Sequence, residues 1–335
     1  MALWTDLVKP AALTTVGRTV VDARDAQPGT LADVFPNVAV PDVVFSWIKN
    51  GKSRDVAQYR AFDAEAAIGG TSGLEEKTAR LAPLSLKKRF GELDALRRMA
   101  PNSPESVEQA ANRLAAEIGQ SFVRALAVHR STALVTGKLS IVDEEGGFRQ
   151  NVDFGRRPDH TATAATAWSD DAADPIADLE QWRNAFETHT GAVPTKLKMS
   201  RTVFAAMSRN AKVRGYFGAN APTLISQENL NATLSAYGLP TIELIHAQVN
   251  GVNAFSQDHV VLAADGAGVT SWGLTKNAQD SRYGIAAGEM PGLVVAGYRE
   301  DDPSIEWIIG NATVLPVLTD PDLTFSAKVL NTTGS

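Results

Sequence analysis

Residues 103–142 read SPESVEQAANRLAAEIGQSFVRALAVHRSTALVTGKLSIV, and this stretch decides the fold. Its apolar side chains recur at spacings of three and four, which is the period of one face of an α-helix. Pro104 suits the first helical position, and Gly137 is a typical helix stop. The pattern therefore predicts one helix over residues 103–136, about 50 Å long, whereas the mean helix in globular proteins has only ~11–12 residues.

Strand-like segments lie on both sides of this helix. Residues 138–142 and 148–154 flank a glycine-containing loop and predict a β-hairpin. Before the helix, residues 42–50 read as a strand that ends at a turn signal, Asn50-Gly51. Residues 52–90 predict a long polar hairpin with strands at about 54–62 and 78–90 and a glycine-rich tip at 67–73. Because it contains few large apolar residues, we expect this hairpin to project from the body.

The first 45 residues read as an extended arm. Pro10, Pro28, Pro36 and Pro41 interrupt the segment and leave room only for a short helix near residues 30–35. Apolar residues are scattered along it, so the arm needs a surface to lie on. That surface is either the rest of the chain or a neighbouring subunit.

The rest of the chain predicts a mixed α/β arrangement. Ser, Thr, Asp and Gly signals together with helical periodicity indicate helices, and runs of β-branched residues indicate strands. Gly-rich residues 265–291 are expected to form a loop region. The predicted helices cover residues 174–190, 201–209 and 227–237, and the predicted strands cover 195–199, 241–248, 252–256, 259–264, 292–299, 304–309, 312–318 and 323–329.

Composition narrows the class of protein. The chain has 335 residues, of which 44% are hydrophobic and 21% charged, so it can bury a sizeable core. Its net charge of −6 argues against a dedicated nucleic-acid binder, but it allows a protein that surrounds nucleic acid. The absence of cysteine excludes disulfides, thiolate metal sites and cysteine nucleophiles. The N-terminus does not read as a secretory signal, and no apolar run approaches the ~20 residues that span a bilayer.

Motifs for catalysis are missing. The sequence contains no zinc-protease helix, nucleophile elbow or phosphate-binding loop, and Gly266-Ala-Gly268 lacks the third glycine of a dinucleotide site. The five histidines form no pair at ligand spacing, although His246 and His259 could approach each other across a hairpin. We therefore predict no catalytic, cofactor-binding or metal-binding residue, and no enzyme activity.

The predicted chain has an arm, a projecting hairpin, one very long helix and a remainder without a catalytic site. These features are typical of a protein whose structure is complete only when neighbouring subunits pack against it. This arrangement resembles the HK97 fold of tailed-phage major capsid proteins. The likeness is closest at residues 133–141, ALVTGKLSI, and 152–156, VDFGR, which are similar to the lambda-type major capsid protein E family. Residues 201–207, RTVFAAM, and 210–214, NAKVR, are also similar, and the likeness runs from about residue 15 to the C-terminus.

The resemblance implies an α+β chain divided as this fold is divided. Its segments would be an N-terminal arm (1–45), an E-loop with flanking strands (46–95), a P-domain (96–169) that contains the spine helix, an A-domain (170–298) and a return to the P-domain (299–335).

The resemblance also implies a function. The chain would be a major capsid protein whose hexamers and pentamers close an icosahedral shell around packaged double-stranded DNA. Implied partners are further copies of itself, a separate scaffolding protein, a portal at one vertex and a decoration protein. DNA would be enclosed without sequence-specific binding, no membrane would be involved, and assembly would occur in the host bacterial cytoplasm before the protein resides in the virion.

Three alternatives remain open at this point. One is an encapsulin-like nanocompartment shell, which would hold an enzyme and no DNA. The others are a cytoplasmic α/β enzyme with an unrecognised site and a minor phage structural or decoration protein. Under the capsid hypothesis, nine residues are candidates for contacts between subunits: Trp4, Arg60, Arg80, Lys87, Lys88, Arg89, Glu92, Arg282 and Tyr283.

Overall fold

The structure is a computed structural model that describes residues 2–3, 8–50, 74–90, 106–143, 148–218, 224–245, 248–249, 252–301 and 304–331. These residues form an α+β fold. Its helices are α1 (Pro10–Asp25), α2 (Val107–Thr136), α3 (Pro175–Thr190), α4 (Arg201–Arg209), α5 (Ala211–Gly215) and α6 (Gln227–Ala236).

The strands run from the N-terminus to residue 328. They are β1 (Ala2–Leu3), β2 (Asn37–Ala39), β3 (Val44–Asn50), β4 (Leu74–Arg80), β5 (Ala82–Phe90), β6 (Lys138–Asp143), β7 (Phe148–Asp153), β8 (Thr161–Thr163), β9 (Lys196–Ser200), β10 (Ile242–Ile245), β11 (Gln248–Val249), β12 (Val252–Asn253), β13 (His259–Ala263), β14 (Val269–Gly273), β15 (Val294–Asp301), β16 (Ser304–Val317) and β17 (Thr324–Lys328).

The long helix α2 confirms the central sequence prediction, but it begins four residues later than expected. Ser106 is its cap: the Ser106 hydroxyl accepts a hydrogen bond from the Gln109 amide, and the Gln109 side chain accepts one from the Ser106 amide. This reciprocal arrangement satisfies two backbone donors at the helix start. At the other end, Gly137 adopts a left-handed conformation (φ 70°) and stops the helix, as predicted.

A six-stranded sheet is built around the 14-residue strand β16. This strand pairs antiparallel with β5, β14 and β15, and the short strands β2 and β1 extend the sheet beyond β14 and β15. Residues 304–309 and 312–318 were predicted as separate strands, yet β16 runs through both without a break. Gly310 permits this close packing, because a Cβ at that position would collide with Ile118 of α2, which lies on the sheet.

Strand β14 corrects the expectation that residues 265–291 form only loops. Its sequence, VTSWG, is too polar to stand out as a buried strand. The side chains of Thr270 and Ser271 are nevertheless fully buried between the strands on either side. Tertiary pairing has overridden a weak local signal.

Helix α1 overturns the prediction of an extended arm for residues 10–25. Pro10 occupies the first turn, where its missing N–H costs nothing, and no further proline follows until Pro28. Leu13, Gly17 and Val21 recur every four residues and are all buried against the chain's own core. The prolines predicted no helix here, although the 17 residues between Pro10 and Pro28 leave room for one.

The side chains of α1 also complete the edge of the six-stranded sheet. The Thr14 hydroxyl donates to the carbonyl of Val295 and accepts from the Val295 amide, both at 3.0 Å. Arg18 Nε donates to the Leu293 carbonyl at 2.7 Å. The helix therefore bonds the part of β15 that its two-residue pairing with β1 leaves open.

A second, five-stranded sheet has the order β10-β9-β13-β17-β8. Helices α3, α4 and α6, all predicted from the sequence, cover its apolar side. Their shared core is rich in large side chains, among them Trp168, Trp182, Phe186, Met199 and Phe325.

Hairpins account for most of the remaining strands. Hairpin β6–β7 confirms the prediction that follows the long helix. Strands β3 and β4 pair antiparallel over residues 44–50 and 74–80, and the predicted strand 54–62 and tip 67–73 lie outside the described residues. The predicted strand 78–90 is divided at Leu81, because β5 leaves the hairpin and joins the six-stranded sheet. Of the helices that are described, none is long and apolar enough to span a bilayer.

Candidate assembly surface

Strand β5 carries three consecutive basic candidates. It pairs with β16 and, among the described residues, with no other strand. Lys88 faces α2 and forms an ion pair with Glu117, which also binds Arg113 at 2.9 Å. The hydrogen bond from Lys88 lowers the pKa of Glu117, so this carboxylate stays charged in mild acid. Lys88 therefore ties β5 to the helix within one subunit.

The other two basic residues of β5 face away from α2. The Lys87 ammonium lies 4.7 Å from the centre of the Trp307 ring, which is a cation–π geometry. Arg89 is directly opposite Trp307 in the strand register, and Tyr298 is opposite Trp307 on its other side. Lys87 and Arg89 are exposed, so this face of the sheet presents positive charge beside aromatic rings.

The ribbon formed by β3 and β4 has one covered face and one open face. On the covered face, Trp47 packs on Phe154 at 6.4 Å between ring centres, and Lys77 donates to the Phe154 carbonyl at 3.1 Å. On the open face, Val44 is 40% exposed and Ile48 is 56% exposed. The ribbon is thus anchored to its own subunit and exposes two apolar side chains, Val44 and Ile48, on its outward face.

Arg80, at the end of β4, is exposed just before the chain enters β5. Arg282 and Tyr283 lie in a short turn that packs beside β15. Arg282 is exposed and pairs with Asp280, which lowers the pKa of that carboxyl to about 2. Tyr283 is buried and its hydroxyl bonds to that of Tyr298, while burial raises its pKa.

The structure therefore brings some sequence candidates together and separates others. Lys87 and Arg89 share one face of the sheet with Trp307, which is next to Tyr298, the partner of the Tyr283 hydroxyl. Lys88 points to the helix side. Trp4, Arg60 and Glu92 lie outside the described residues.

The VDFGR segment acquires a physical role in the structure. Arg156 donates to the carbonyls of Val135 (3.1 Å) and Ala133 (3.2 Å), and also to that of Leu134. It thereby satisfies carbonyls that the end of a helix leaves open. Burial lowers the pKa of Arg156 to about 10, so the guanidinium remains charged at neutral pH.

A buried arginine joins α2 to the N-terminal segment, and sequence reasoning missed it. Arg130 is fully buried and forms a two-point ion pair with Asp25 at 2.8 and 2.9 Å. Its remaining hydrogen bonds go to Thr270 Oγ1, Asn37 Oδ1 and the Thr30 carbonyl. A signal for it did exist, because Arg130 interrupts the apolar stripe of α2 at a spacing of four from its neighbours.

A buried lysine was also missed. Lys198 on β9 is 1% exposed, and its ammonium contacts Asp33 at 2.6 Å and also Glu243 on β10. Burial alone would raise the pKa of Asp33, but the hydrogen bond and charge of Lys198 outweigh burial and lower it. This ion pair fastens the segment after α1 to the five-stranded sheet.

The histidines require a correction. No pair was predicted, yet His160 Nε2 lies 3.2 Å from His189 Nδ1, because the fold brings together residues 29 positions apart. His246 lies outside the described residues, so its approach to His259 stays a prediction. Within the part of the chain that is described, no three His, Cys, Asp or Glu side chains gather as a metal site would need.

Solved capsid structures share the fold of this chain. A phage-related protein from Bordetella bronchiseptica RB50 is 14% identical, with a TM-score of 0.61 over 99% of this chain and 100% of that one. A putative capsid protein of a prophage of E. coli CFT073 is 18% identical, with a TM-score of 0.58 over 94% and 98%. The capsid of Myoviridae phage XM1 is 12% identical, with a TM-score of 0.52 over 90% of each chain. The fold is therefore the HK97-like capsid fold, as predicted.

The sequence family agrees with the fold. The family described as phage major capsid protein E matches residues 13–329, and the chain therefore belongs to the phage major capsid protein E family. No curated protein matches it. Membership confirms the predictions of a phage capsid component and of a structural protein without enzyme activity, since capsid proteins assemble into multi-copy shells.

Proposed function

We propose that copies of this chain form the hexamers and pentamers of an icosahedral phage shell that encloses packaged double-stranded DNA. The observation that carries the proposal is the ribbon of β3 and β4, anchored by Trp47 on one face and exposing Val44 and Ile48 on the other. Exposed apolar side chains on the open face of an anchored ribbon fit a contact with another protein. In a family of shell proteins, the first partner for that face is another copy.

The segments would divide the work in the way the HK97 fold does. Residues 46–95 would form the E-loop that lies over an adjacent subunit, residues 96–169 and 299–335 the P-domain, and residues 170–298 the A-domain at the capsomer centres. Much of the proposed arm, residues 1–45, packs on its own subunit: helix α1 lies on the core, β1 and β2 join the six-stranded sheet, and Phe35 is buried. Only the exposed residues of the arm outside these elements would reach a neighbour.

The basic candidates would contribute charge to these contacts. Arg80, Lys87 and Arg89 are exposed on neighbouring strands, and Arg282 is exposed on the turn beside β15. An acidic segment of an adjacent subunit would complement them, and such rim charges would guide register more than they add affinity. Trp4, Arg60, Lys88, Glu92 and Tyr283 remain proposed contacts or supports of contacts.

The remaining partners follow from the likeness to other tailed-phage heads. We propose a separate scaffolding protein, a portal at one vertex and a decoration protein on the outside. Assembly would take place in the host bacterial cytoplasm, without a membrane and without sequence-specific DNA binding.

The test is to express the chain alone and together with its genomic neighbours, and to examine both by sedimentation velocity and negative-stain microscopy. Closed shells, rings of five or six, or curved sheets are expected. A monomer in both preparations, at every concentration and in crowding agents, would overturn the proposal. Shells purified from a lysate would be treated with nuclease and analysed for contents: protected DNA supports the phage head, whereas a packed enzyme without DNA would favour the encapsulin-like shell.

A further inference from the structure

Two stacked histidines lie where α3 meets the five-stranded sheet. His160 is fully buried and its ring lies between those of Phe186, Phe325 and His189, at 5.7, 5.5 and 5.2 Å between centres. His189 is in the last turn of α3 and is only partly buried. The pair thus joins the end of a helix to the sheet that the helix covers.

The hydrogen-bond partners of His160 limit how many protons the pair can hold in the folded state. His160 Nδ1 lies 3.2 Å from the Thr324 carbonyl, which can only accept, so Nδ1 carries a hydrogen. His160 Nε2 lies 3.2 Å from His189 Nδ1, and a single hydrogen, from either ring, bridges the two nitrogens. If both rings were fully protonated, two N–H groups would point at each other and the bond would be lost.

The charges around the pair do not remove this constraint. Asp322, in the turn before β17, favours a protonated His160, while Arg157 and His189 oppose it. Asp322 is already engaged, since it accepts a hydrogen bond from the Arg157 amide. Burial is the largest influence and lowers the pKa of His160.

We infer that the contact between His160 and His189 is sensitive to acid. In mildly acidic solution it would break and release the end of α3 from the five-stranded sheet. When the helix end opens, the His160 imidazole reaches water and takes up a proton as a free histidine does. The open state therefore binds more protons than the closed state, and acid favours it. This property goes beyond shell formation and does not depend on it.

The sign and range follow from proton linkage. The pKa of a free histidine is about 6.5, and that of His160 in the closed state is lower. The closed state of the helix end is therefore fully stabilised above pH 7. Its stability falls as the pH drops through 6.5, until the closed state also takes up a proton. The opening equilibrium constant should rise by up to about tenfold between pH 7.5 and pH 5.5 for one such histidine.

The experiment is amide hydrogen exchange of the full chain at pH 7.5, 6.5 and 5.5, corrected for the intrinsic effect of pH on exchange. We expect the opening equilibrium constant of residues 186–190 to rise severalfold, up to about tenfold, whereas that of α6, which packs in the same core, should change little. Equal, small changes in both helices would overturn the inference. This comparison uses the unaltered protein, so it does not depend on whether any variant folds.

Two variants sharpen the test. His160→Asn keeps a donor for the Thr324 carbonyl but does not titrate, so the rise at residues 186–190 should disappear. His259→Asn removes a histidine that bonds Asp258 at 2.7 Å, away from α3, and should leave the rise intact. A rise that persists in His160→Asn, or one that disappears in His259→Asn, would assign the acid response to another group.

Discussion

Arg130 is a full charge at the centre of the subunit, held between the spine helix and the segment that follows α1. Asp25 neutralises it, and Thr30, Asn37 and Thr270 take up its remaining hydrogens. In a low-dielectric interior, such a pair adds little net stability but makes the loss of one partner expensive. The pair acts on geometry, because the five hydrogen bonds of Arg130 fix how α2, β14 and the segment from Asp25 to Asn37 pack together.

Removing this charge should therefore be costly. Arg130→Met leaves the Asp25 carboxylate buried without a counter-charge, and we expect the free energy of unfolding to fall by about 3–5 kcal/mol. Urea denaturation measures it. Arg124→Met is the matched control on the same helix: Arg124 is exposed and bonds only Gln120, so its removal should stay within about 0.5 kcal/mol. Equal losses in the two variants would contradict the role assigned to Arg130.

At the scale of elements, two glycines set how closely α1 packs on its neighbours. A Cβ at Gly119 would lie 2.7 Å from the Gly17 carbonyl oxygen, and a Cβ at Gly17 would lie 2.9 Å from a methyl group of Val295. The first obstacle is backbone, which cannot move aside as the end of a side chain can. Gly119 therefore lets α2 touch α1, and Gly17 lets α1 approach β15.

Gly119→Ala tests this contact. Alanine favours a helix over glycine by about 1 kcal/mol, yet we expect a net loss of about 1–3 kcal/mol, because α1 must move away from α2. Gly215→Ala is the control, since a Cβ there meets nothing within 4 Å. Thermal unfolding of both variants should show a lower midpoint for the first only. A higher midpoint for Gly119→Ala would mean that the helices are not in contact there.

Elements with a strong local period could be predicted from sequence. Helix α2, helix α3 and hairpin β6–β7 were all found, because periodicity and stop signals lie within a few residues of each other. Elements that are stabilised by partners distant in the sequence could not be predicted. Strand β14 is polar by composition and is buried only because β16 and β2 enclose it.

The same reason limits prediction of functional residues. Lys87 and Arg89 could be proposed from a short basic run, and exposure keeps them as candidates. Lys198 and the pair His160–His189 could not, since their partners come from other parts of the chain. A buried charge is recognisable only when the elements around it are known.

At the scale of the whole molecule, assembly should depend on the open face of the β3–β4 ribbon. Val44→Asp combined with Ile48→Asp puts two charges on the open face without touching the covered face. We expect a folded subunit that no longer forms shells, because removing carboxylates from water in a contact is unfavourable. Sedimentation velocity and circular dichroism measure the two properties separately.

Val193→Asp is the control, because Val193 is 60% exposed at a site away from the ribbon. It should assemble as the unaltered chain does. Normal shells from the double variant would show that Val44 and Ile48 do not lie in a contact between copies.

The position of β16 in the chain has a consequence for how the subunit is made. Strands β5, β14 and β15 all pair with β16, and each is synthesised before it. During translation, these strands wait without their common partner until the ribosome has passed residue 317. A nascent chain therefore cannot complete the six-stranded sheet before β16 has been made.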